Sequence, residues 1–116
     1  MKFSYTTLLD YPLADSLEHV KTADELGYYA CYAADETWHK DLWLLYAAAA
    51  DKTKNVRFGP NLSSVYLREP TLICQALATL DELTGGRAEG VISCGNFGML
   101  SQYGVDISIP LRKLAL

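Results

Sequence analysis

The stretch at residues 78–95 constrains the fold most, because it combines the end of a helix, a stop signal and a short apolar run. The helix is indicated by apolar residues at spacings of three and four: Leu72, Ile73, Ala76, Leu77, Leu80 and Leu83. Gly85 and Gly86 then allow the positive φ that ends a helix without a Cβ clash. The following run, 88–94, is too short for a helix and predicts a buried strand. A helix that leads directly into such a strand is typical of a parallel α/β fold.

Strand and helix signals alternate along the rest of the chain. Strands are predicted at 3–9, 28–34, 56–64 and 88–94, and helices are predicted to begin near residues 13, 42, 70 and 109. Asp10 and Pro12 form a cap-and-proline start for the first helix, and Asp41 can cap the second. Pro60 lacks a ladder N–H, so a bulge is expected in strand three. A glycine-spaced loop is expected after strand four.

Composition allows one globular domain, 1–116, and narrows its partners. Half of the 116 residues are hydrophobic and the net charge is −4, without the basic patch that nucleic-acid binding requires. No apolar run approaches the ~18 residues that span a bilayer, and no secretion signal is evident, so a cytoplasmic protein is expected. Cys31, Cys74 and Cys94 are odd in number and far apart, which argues against a disulfide framework and a zinc site. No metal site is predicted.

Several sequence segments together resemble one family. They are ATLDELTGGRAEGVISCGN at 78–96, ADELGY at 23–28, FGPNLSSVY at 58–66, REP at 68–70 and the later YGVD and PLRKL. These segments are similar to those of the luciferase-like flavin and deazaflavin oxidoreductases, with the methylenetetrahydromethanopterin reductase branch, which uses coenzyme F420, as the nearest match. The resemblance implies an α/β fold with four parallel strands and intervening helices, the first half of a (β/α)8 barrel. A free-standing doubly wound domain is the alternative.

Active sites of such barrels lie at the carboxyl ends of the strands, which here are marked by Asp10, Asp35 with Glu36, 61–64 and 94–96. The resemblance implies that Asp35 orients the cofactor or relays a proton, with Glu36 beside it where the family commonly has histidine. Asp35 could instead cap the second helix. His39 could take over the histidine's role, although a lone histidine is more often a packing residue.

The resemblance also implies a cofactor wall made by strands three and four. Asn61, Leu62 and Ser63 would back the ring, with a cis peptide near Asn61 and Leu62; an ordinary bulge caused by Pro60 is the alternative. Four further residues, Ser93, Cys94, Gly95 and Asn96, would line the pocket where relatives have a glycine-rich run. Cys94 could be a nucleophile, but a small buried thiol is more common. The spacing of Gly95 and Gly98 lacks the full dinucleotide-binding fingerprint.

The resemblance therefore implies the N-terminal half of an F420-dependent oxidoreductase that moves a hydride between the deazaflavin and a small organic substrate. An FMN-dependent monooxygenase of the same barrel is the first alternative, and a non-catalytic half barrel that acts only in assembly is the second. Four strands of a barrel would leave unpaired edges and an uncovered apolar layer. Self-association, or pairing with a C-terminal half, is therefore expected.

Overall fold

A computed structural model describes residues 1–106 of the chain. Its elements, in chain order, are β1 (Ser4–Thr7), α1 (Leu13–Glu25), β2 (Ala30–Asp35), α2 (Leu42–Ala49), a 3₁₀ turn (Ala50–Lys52), β3 (Arg57–Ser64), α3 (Pro70–Thr84), β4 (Val91–Ser93) and α4 (Phe97–Gln102). The alternation of strands and helices up to β4 is as predicted, with boundaries within three residues. The predicted helix start near residue 109 lies outside the described residues.

The four strands form one parallel sheet in the order β1-β2-β3-β4. Ser4 pairs with Ala30, Ala30 pairs with Arg57, and Asn61 pairs with Val91. Each helix therefore connects two neighbouring strands, as in a (β/α)8 barrel. A doubly wound domain requires a reversal of strand order, so that alternative is wrong. The structure is the first half of a barrel, as predicted.

The helices α1, α2 and α3 cover one face of the sheet. One buried cluster joins Val20 of α1, Tyr46 of α2 and Ile73 of α3 to Cys31 and Phe58 of the strands. Tyr46 stacks on Phe58 with ring centroids 5.1 Å apart. Helix α2 carries no charged side chain, as expected for a segment that packs closely on a sheet. Packing against the sheet thus supplies most of the stability of these helices.

The signals at the ends of α3 act as the sequence predicts. Pro70 occupies the first turn, and Gly85 ends the helix in the left-handed region at φ +66°. The apolar stripe of α3 is narrower than predicted, because Leu72 and Leu83 remain 49% and 56% exposed.

The uncovered face of the sheet is not wholly apolar, which differs from the expectation. The carboxylate of Glu89 accepts hydrogen bonds from Tyr29 (3.1 Å) and Tyr32, and it pairs with Arg57 Nε at 2.6 Å. Burial alone would raise the pKa of Glu89, but these donors lower it below its usual range. Beside this polar cluster, Val91 is 47% exposed. The uncovered face of the sheet therefore combines the hydrogen-bonded carboxylate of Glu89 with an exposed apolar edge at Val91.

A single arginine holds together the segments at the amino ends of the strands. The guanidinium of Arg87 donates to the carbonyl oxygens of Ala50, Thr53, Val56 and Thr84 and to Oγ1 of Thr53 at 2.7–3.3 Å. It also lies 5.2 Å from the ring centroid of Phe58. Nearby, Asp24 accepts the backbone N–H groups of Lys54, Asn55 and Val56 at 2.7–2.9 Å. The turn before β3 is therefore fixed from two sides.

The segment after β4 differs from the predicted loop, because residues Phe97–Gln102 form the short helix α4. The side chain of Asn96 caps it by accepting the backbone N–H groups of Gly98 and Met99 at 3.0 and 3.3 Å. Within residues 1–106, no helix combines the length and apolar character needed to cross a bilayer.

Candidate active site at the carboxyl end of the sheet

Polar side chains and small residues meet where the strands end. Asp10 follows β1, Asp35 ends β2, Ser63 and Ser64 end β3, and Gly95 follows β4. Parallel strands bring these positions to the same edge of the sheet. The residues predicted from the sequence therefore lie together at the carboxyl end of the sheet, which forms the mouth of the site. They differ in burial and in their hydrogen-bond partners.

Asp35 is the best-connected residue of this mouth. Its Oδ2 accepts hydrogen bonds from Ser63 Oγ at 2.5 Å and from Trp43 Nε1 at 3.1 Å, and Arg68 Nε lies 3.4 Å away. The carboxylate thereby joins β2 to α2, to β3 and to the segment before α3. It does not cap α2, because Asp41 accepts the N–H of Leu44 at 3.0 Å in that role. The alternative that Asp35 is the helix cap is therefore wrong.

The bulge expected in β3 lies directly after Pro60. The register between β3 and β4 shifts between Asn61 and Ser63, and the peptide bond between Asn61 and Leu62 is cis, as predicted. Asn61 is exposed, Leu62 is half-buried and Ser63 is buried. The shift lets Ser63 contact Asp35 while Asn61 stays on the open face of the sheet. The role of these three residues in backing a cofactor ring stays a prediction.

The end of β4 is held against β3 by a short contact. Ser64 Oγ donates to the carbonyl oxygen of Cys94 at 2.5 Å. Gly95 has φ +99°, and a Cβ there would lie 2.6 Å from Cβ of Ser64. This close approach of two chains requires glycine at position 95.

The four residues predicted to line the pocket thus differ in their availability. Ser93 and Gly95 are half-buried, and Cys94 is 8% exposed. The burial of Cys94 agrees with the expectation of a small buried thiol. The side-chain oxygen of Asn96 is engaged in capping α4. Their part in cofactor binding stays a prediction.

Glu36 and His39 contact each other, and His39 also contacts Asp10. His39 Nδ1 lies 2.7 Å from Asp10 Oδ1, and His39 Nε2 lies 3.5 Å from Glu36 Oε2. The predicted cap role of Asp10 is wrong, because Pro12 is the N-cap of α1 and no side chain caps that helix. Asp10 lies 29 positions before His39, so no local sequence signal indicates their contact.

Sequence reasoning also missed the partners that hold the mouth in place. Arg68, interpreted only as part of a helix start, lies 3.4 Å from Asp35 and 3.7 Å from Asp41. The hydroxyls of Thr37 and Tyr103 are 2.6 Å apart, which attaches the end of α4 to the loop after β2. The residue pair Arg68 and Asp41, of opposite charge beside strand ends, is the signal that could have indicated this network. Among residues 1–106, no group of three or more histidine, cysteine or acidic residues could hold a metal ion.

The fold agrees with comparisons to known proteins. The chain is 25% identical over 114 residues to the 5,10-methylenetetrahydromethanopterin reductase of Archaeoglobus fulgidus, which covers 98% of this chain and 34% of that protein. The coenzyme F420-dependent tetrahydromethanopterin reductase of Methanopyrus kandleri superposes with a TM-score of 0.85 at 24% identity, covering 90% of this chain and 30% of that one.

An FMN-containing enzyme has the same fold. The oxygenating constituent of 3,6-diketocamphane monooxygenase from Pseudomonas putida, in complex with FMN, superposes with a TM-score of 0.77 at 18% identity, covering 90% of this chain and 33% of that one. The chain thus spans about a third of the length of the proteins it matches. The sequence pattern described as luciferase-like monooxygenase matches residues 1–115. The chain belongs to the luciferase-like monooxygenase family, whose members include F420-dependent and FMN-dependent oxidoreductases.

Proposed function

We propose that this chain supplies the ring-holding part of an F420-dependent oxidoreductase, which moves a hydride between the deazaflavin and a small organic substrate. The observation that carries the proposal is the contact between Asp35 and Ser63. It brings the acid after β2 and the bulged segment of β3 to the same point. These are the two stretches that the family resemblance assigns to the cofactor ring.

The side chains at this mouth suit a flat ring. Ser63, Ser64, Ser93 and Gly95 are small, so a planar group could approach the backbone of β3 and β4. The described hydrogen bonds of Asp35 are all accepted by Oδ2. Its Oδ1 is therefore the oxygen that could accept a hydrogen bond from the polar edge of a cofactor.

The bound deazaflavin would supply the hydride chemistry. In this proposal the protein residues hold the ring and manage protons around it. Asn61, Leu62 and Ser63 back the ring, residues 93–96 line the pocket, and Asp35 orients the cofactor. Glu36, half-buried beside His39, exchanges a proton with the substrate or cofactor edge.

The names of the relatives favour F420 over FMN. The relative from Methanopyrus kandleri is described as coenzyme F420-dependent, and the relative from Archaeoglobus fulgidus is named for the same reductase reaction. The enzyme from Pseudomonas putida contains FMN and supports the alternative of a monooxygenase.

Fluorescence titration of the purified chain with F420 and, separately, with FMN tests the proposal. We expect saturable binding of F420, and Asp35→Asn should weaken it by at least about tenfold, because a hydrogen bond to a charged group contributes about 1.5–3 kcal/mol. Asp51→Asn is the matched control, since Asp51 lies in the 3₁₀ turn and contacts only Lys52 among the described ion pairs.

The other outcomes separate the alternatives. Binding of FMN but not F420 would contradict the proposal and favour the monooxygenase. Binding of neither cofactor by a folded chain would contradict it as well, and would favour a non-catalytic half barrel that acts in assembly. Equal effects of Asp35→Asn and Asp51→Asn on F420 affinity would show that Asp35 is not part of the cofactor site.

A further inference from the structure

A histidine lies between two carboxylates at the mouth of the sheet. The His39 ring contacts Asp10 through Nδ1 at 2.7 Å and faces Glu36 through Nε2 at 3.5 Å. The three groups come from the loops after β1 and β2. The backbone supports the arrangement, because the N–H of His39 donates to the carbonyl oxygen of Glu36 at 3.0 Å. Both ring nitrogens therefore face an acid.

The three side chains differ in their exposure. The side chains of Glu36 and His39 are 22% and 12% exposed, whereas that of Asp10 is 64% exposed. An imidazole can accept a proton at one nitrogen and donate one from the other. The arrangement thus connects a mostly buried carboxylate to a carboxylate in contact with solvent.

We propose that His39 is a positioning residue that relays protons between Glu36 and Asp10. This inference rests on the proposed function only in assigning a proton-transfer role to Glu36. His39 would not touch the substrate. It would hold the Glu36 carboxylate in place. It would also let this carboxylate exchange protons with water while a ligand covers the mouth.

The relay moves one proton without any co-reactant except water. The proton leaves Oε2 of Glu36 for Nε2 of His39, and the Nδ1 proton of His39 passes to Oδ1 of Asp10. Asp10 then releases its proton to water, which leaves both acids ionised and the ring in its other neutral tautomer. The reverse sequence delivers a proton from water to Glu36 and restores the first tautomer. The 3.5 Å separation of Nε2 and Oε2 has to shorten by side-chain rotation before the transfer.

The other charged groups near Glu36, His39 and Asp10 have partners of their own. Lys40 Nζ donates to the carbonyl oxygens of Asp10 and Tyr11 at 3.2 and 2.8 Å, which fixes the loop after β2 to the loop after β1.

The cavity of about 230 Å³ that Glu36 and His39 line is also lined by Asp35, Asp41 and Arg68. Arg68 lies within 4 Å of both Asp35 and Asp41, so these three side chains form a separate network.

Nuclear magnetic resonance of the cofactor-free chain tests the relay. The chain has only two histidines, so His19→Gln assigns the imidazole signals of His39. The readout is the carboxyl ¹³C shift of Glu36 at a fixed pH near neutrality. We expect Asp10→Asn to shift this signal when His39 is present and to leave it unchanged in a His39→Gln background. Asp41→Asn is the matched control. Asp41 is an acid of the same cavity that pairs with Arg68, so its substitution should not shift the Glu36 signal.

A second signal distinguishes a relay from a purely structural contact. The ¹⁵N shifts of Nδ1 and Nε2 report which nitrogen carries the proton, and we expect both Asp10→Asn and Glu36→Gln to change that distribution. The relay is wrong if Glu36 responds to Asp10→Asn equally in both backgrounds, or if it does not respond at all. If His39→Gln does not fold, His39→Asn replaces it, since the shorter amide can donate to Asp10 but cannot pass a proton.

The test is independent of cofactor binding. A chain that binds no F420 but shows the coupling retains the relay and loses the proposed function. A chain that binds F420 without the coupling retains the proposed function and loses the relay.

Discussion

The hydroxyl of Ser63 donates a 2.5 Å hydrogen bond to Oδ2 of Asp35 and thereby joins the ends of β2 and β3. The bond crosses the point where the register between these strands shifts, after Ala33. Because Trp43 and Arg68 approach the same oxygen, the carboxylate has a fixed position before any ligand arrives. Such preorganisation lowers the free-energy cost of binding.

Ser63→Ala should destabilise the fold and loosen Asp35. Removing a buried donor from a carboxylate costs about 1.5–3 kcal/mol, and the free energy of unfolding in urea should fall by that amount. Ser101→Ala, at an exposed position of α4, should change it by less than about 0.5 kcal/mol. Equal effects of the two substitutions would show that the contact with Asp35 contributes nothing to stability.

Arg87→Lys should destabilise the chain strongly although the charge is retained. A lysine cannot reproduce a planar group that donates to Ala50, Thr53, Val56 and Thr84 at once. Several buried carbonyl oxygens would lose their donor, at a total cost of about 3 kcal/mol. Thermal and urea unfolding measure the change, with Lys54→Ala, at an exposed position, as the control. A loss below about 1 kcal/mol would contradict the central position of Arg87.

Asp24→Asn should reduce stability in a pH-dependent way. Burial raises the pKa of Asp24, but the N–H groups of Val56, Lys54 and Asn55 outweigh it, so the pKa lies below its usual range. A depressed pKa stabilises the fold above the unfolded pKa, and this contribution is lost as pH falls through the folded value. The difference in unfolding free energy between the two proteins, about 1–2 kcal/mol at pH 7, should therefore shrink below about pH 4. A pH-independent difference would contradict this assignment.

We propose that the purified 116-residue chain self-associates. In the described part of the sheet, the outer edges of β1 and β4 have no paired strand, and Val91, Ile92 and Phe3 are 47%, 39% and 63% exposed. Light scattering after size-exclusion chromatography should give a mass above that of one chain, which decreases on dilution. Val91→Lys should shift the mass toward the monomer, while Thr71→Lys, on the exposed side of α3, should not. A monodisperse monomer at working concentration would contradict self-association.

The sequence predicted those parts of the fold that depend on local patterns. The spacing of Ile73 and Leu80 identified α3, and Gly85 identified its end, because helix period and positive φ are local properties. Helix α4 was missed since Gly95 and Gly98 indicated a loop. Asn96, three residues before the apolar pair Met99 and Leu100, is a cap signal that could have indicated it.

The candidate site was predicted only as a set of positions. Strand ends follow from the alternation of elements, so Asp35 and Ser63 were placed at one mouth correctly. The contact of Asp35 with Arg68 was not predicted, because Arg68 reaches it from the loop after β3. The contact between Asp10 and His39 depends on the separation of two neighbouring strands, which no sequence spacing encodes.

The close approach of Gly95 to Ser64 restricts the order in which mutations can accumulate in this chain. A side chain at position 95 would collide with Cβ and Oγ of Ser64, and φ +99° would strain it as well. Shortening residue 64 to glycine would open space, but it would also remove the donor to the Cys94 carbonyl. Each single step toward an exchange at these two positions is therefore unfavourable, so the pair is expected to be inherited as a unit.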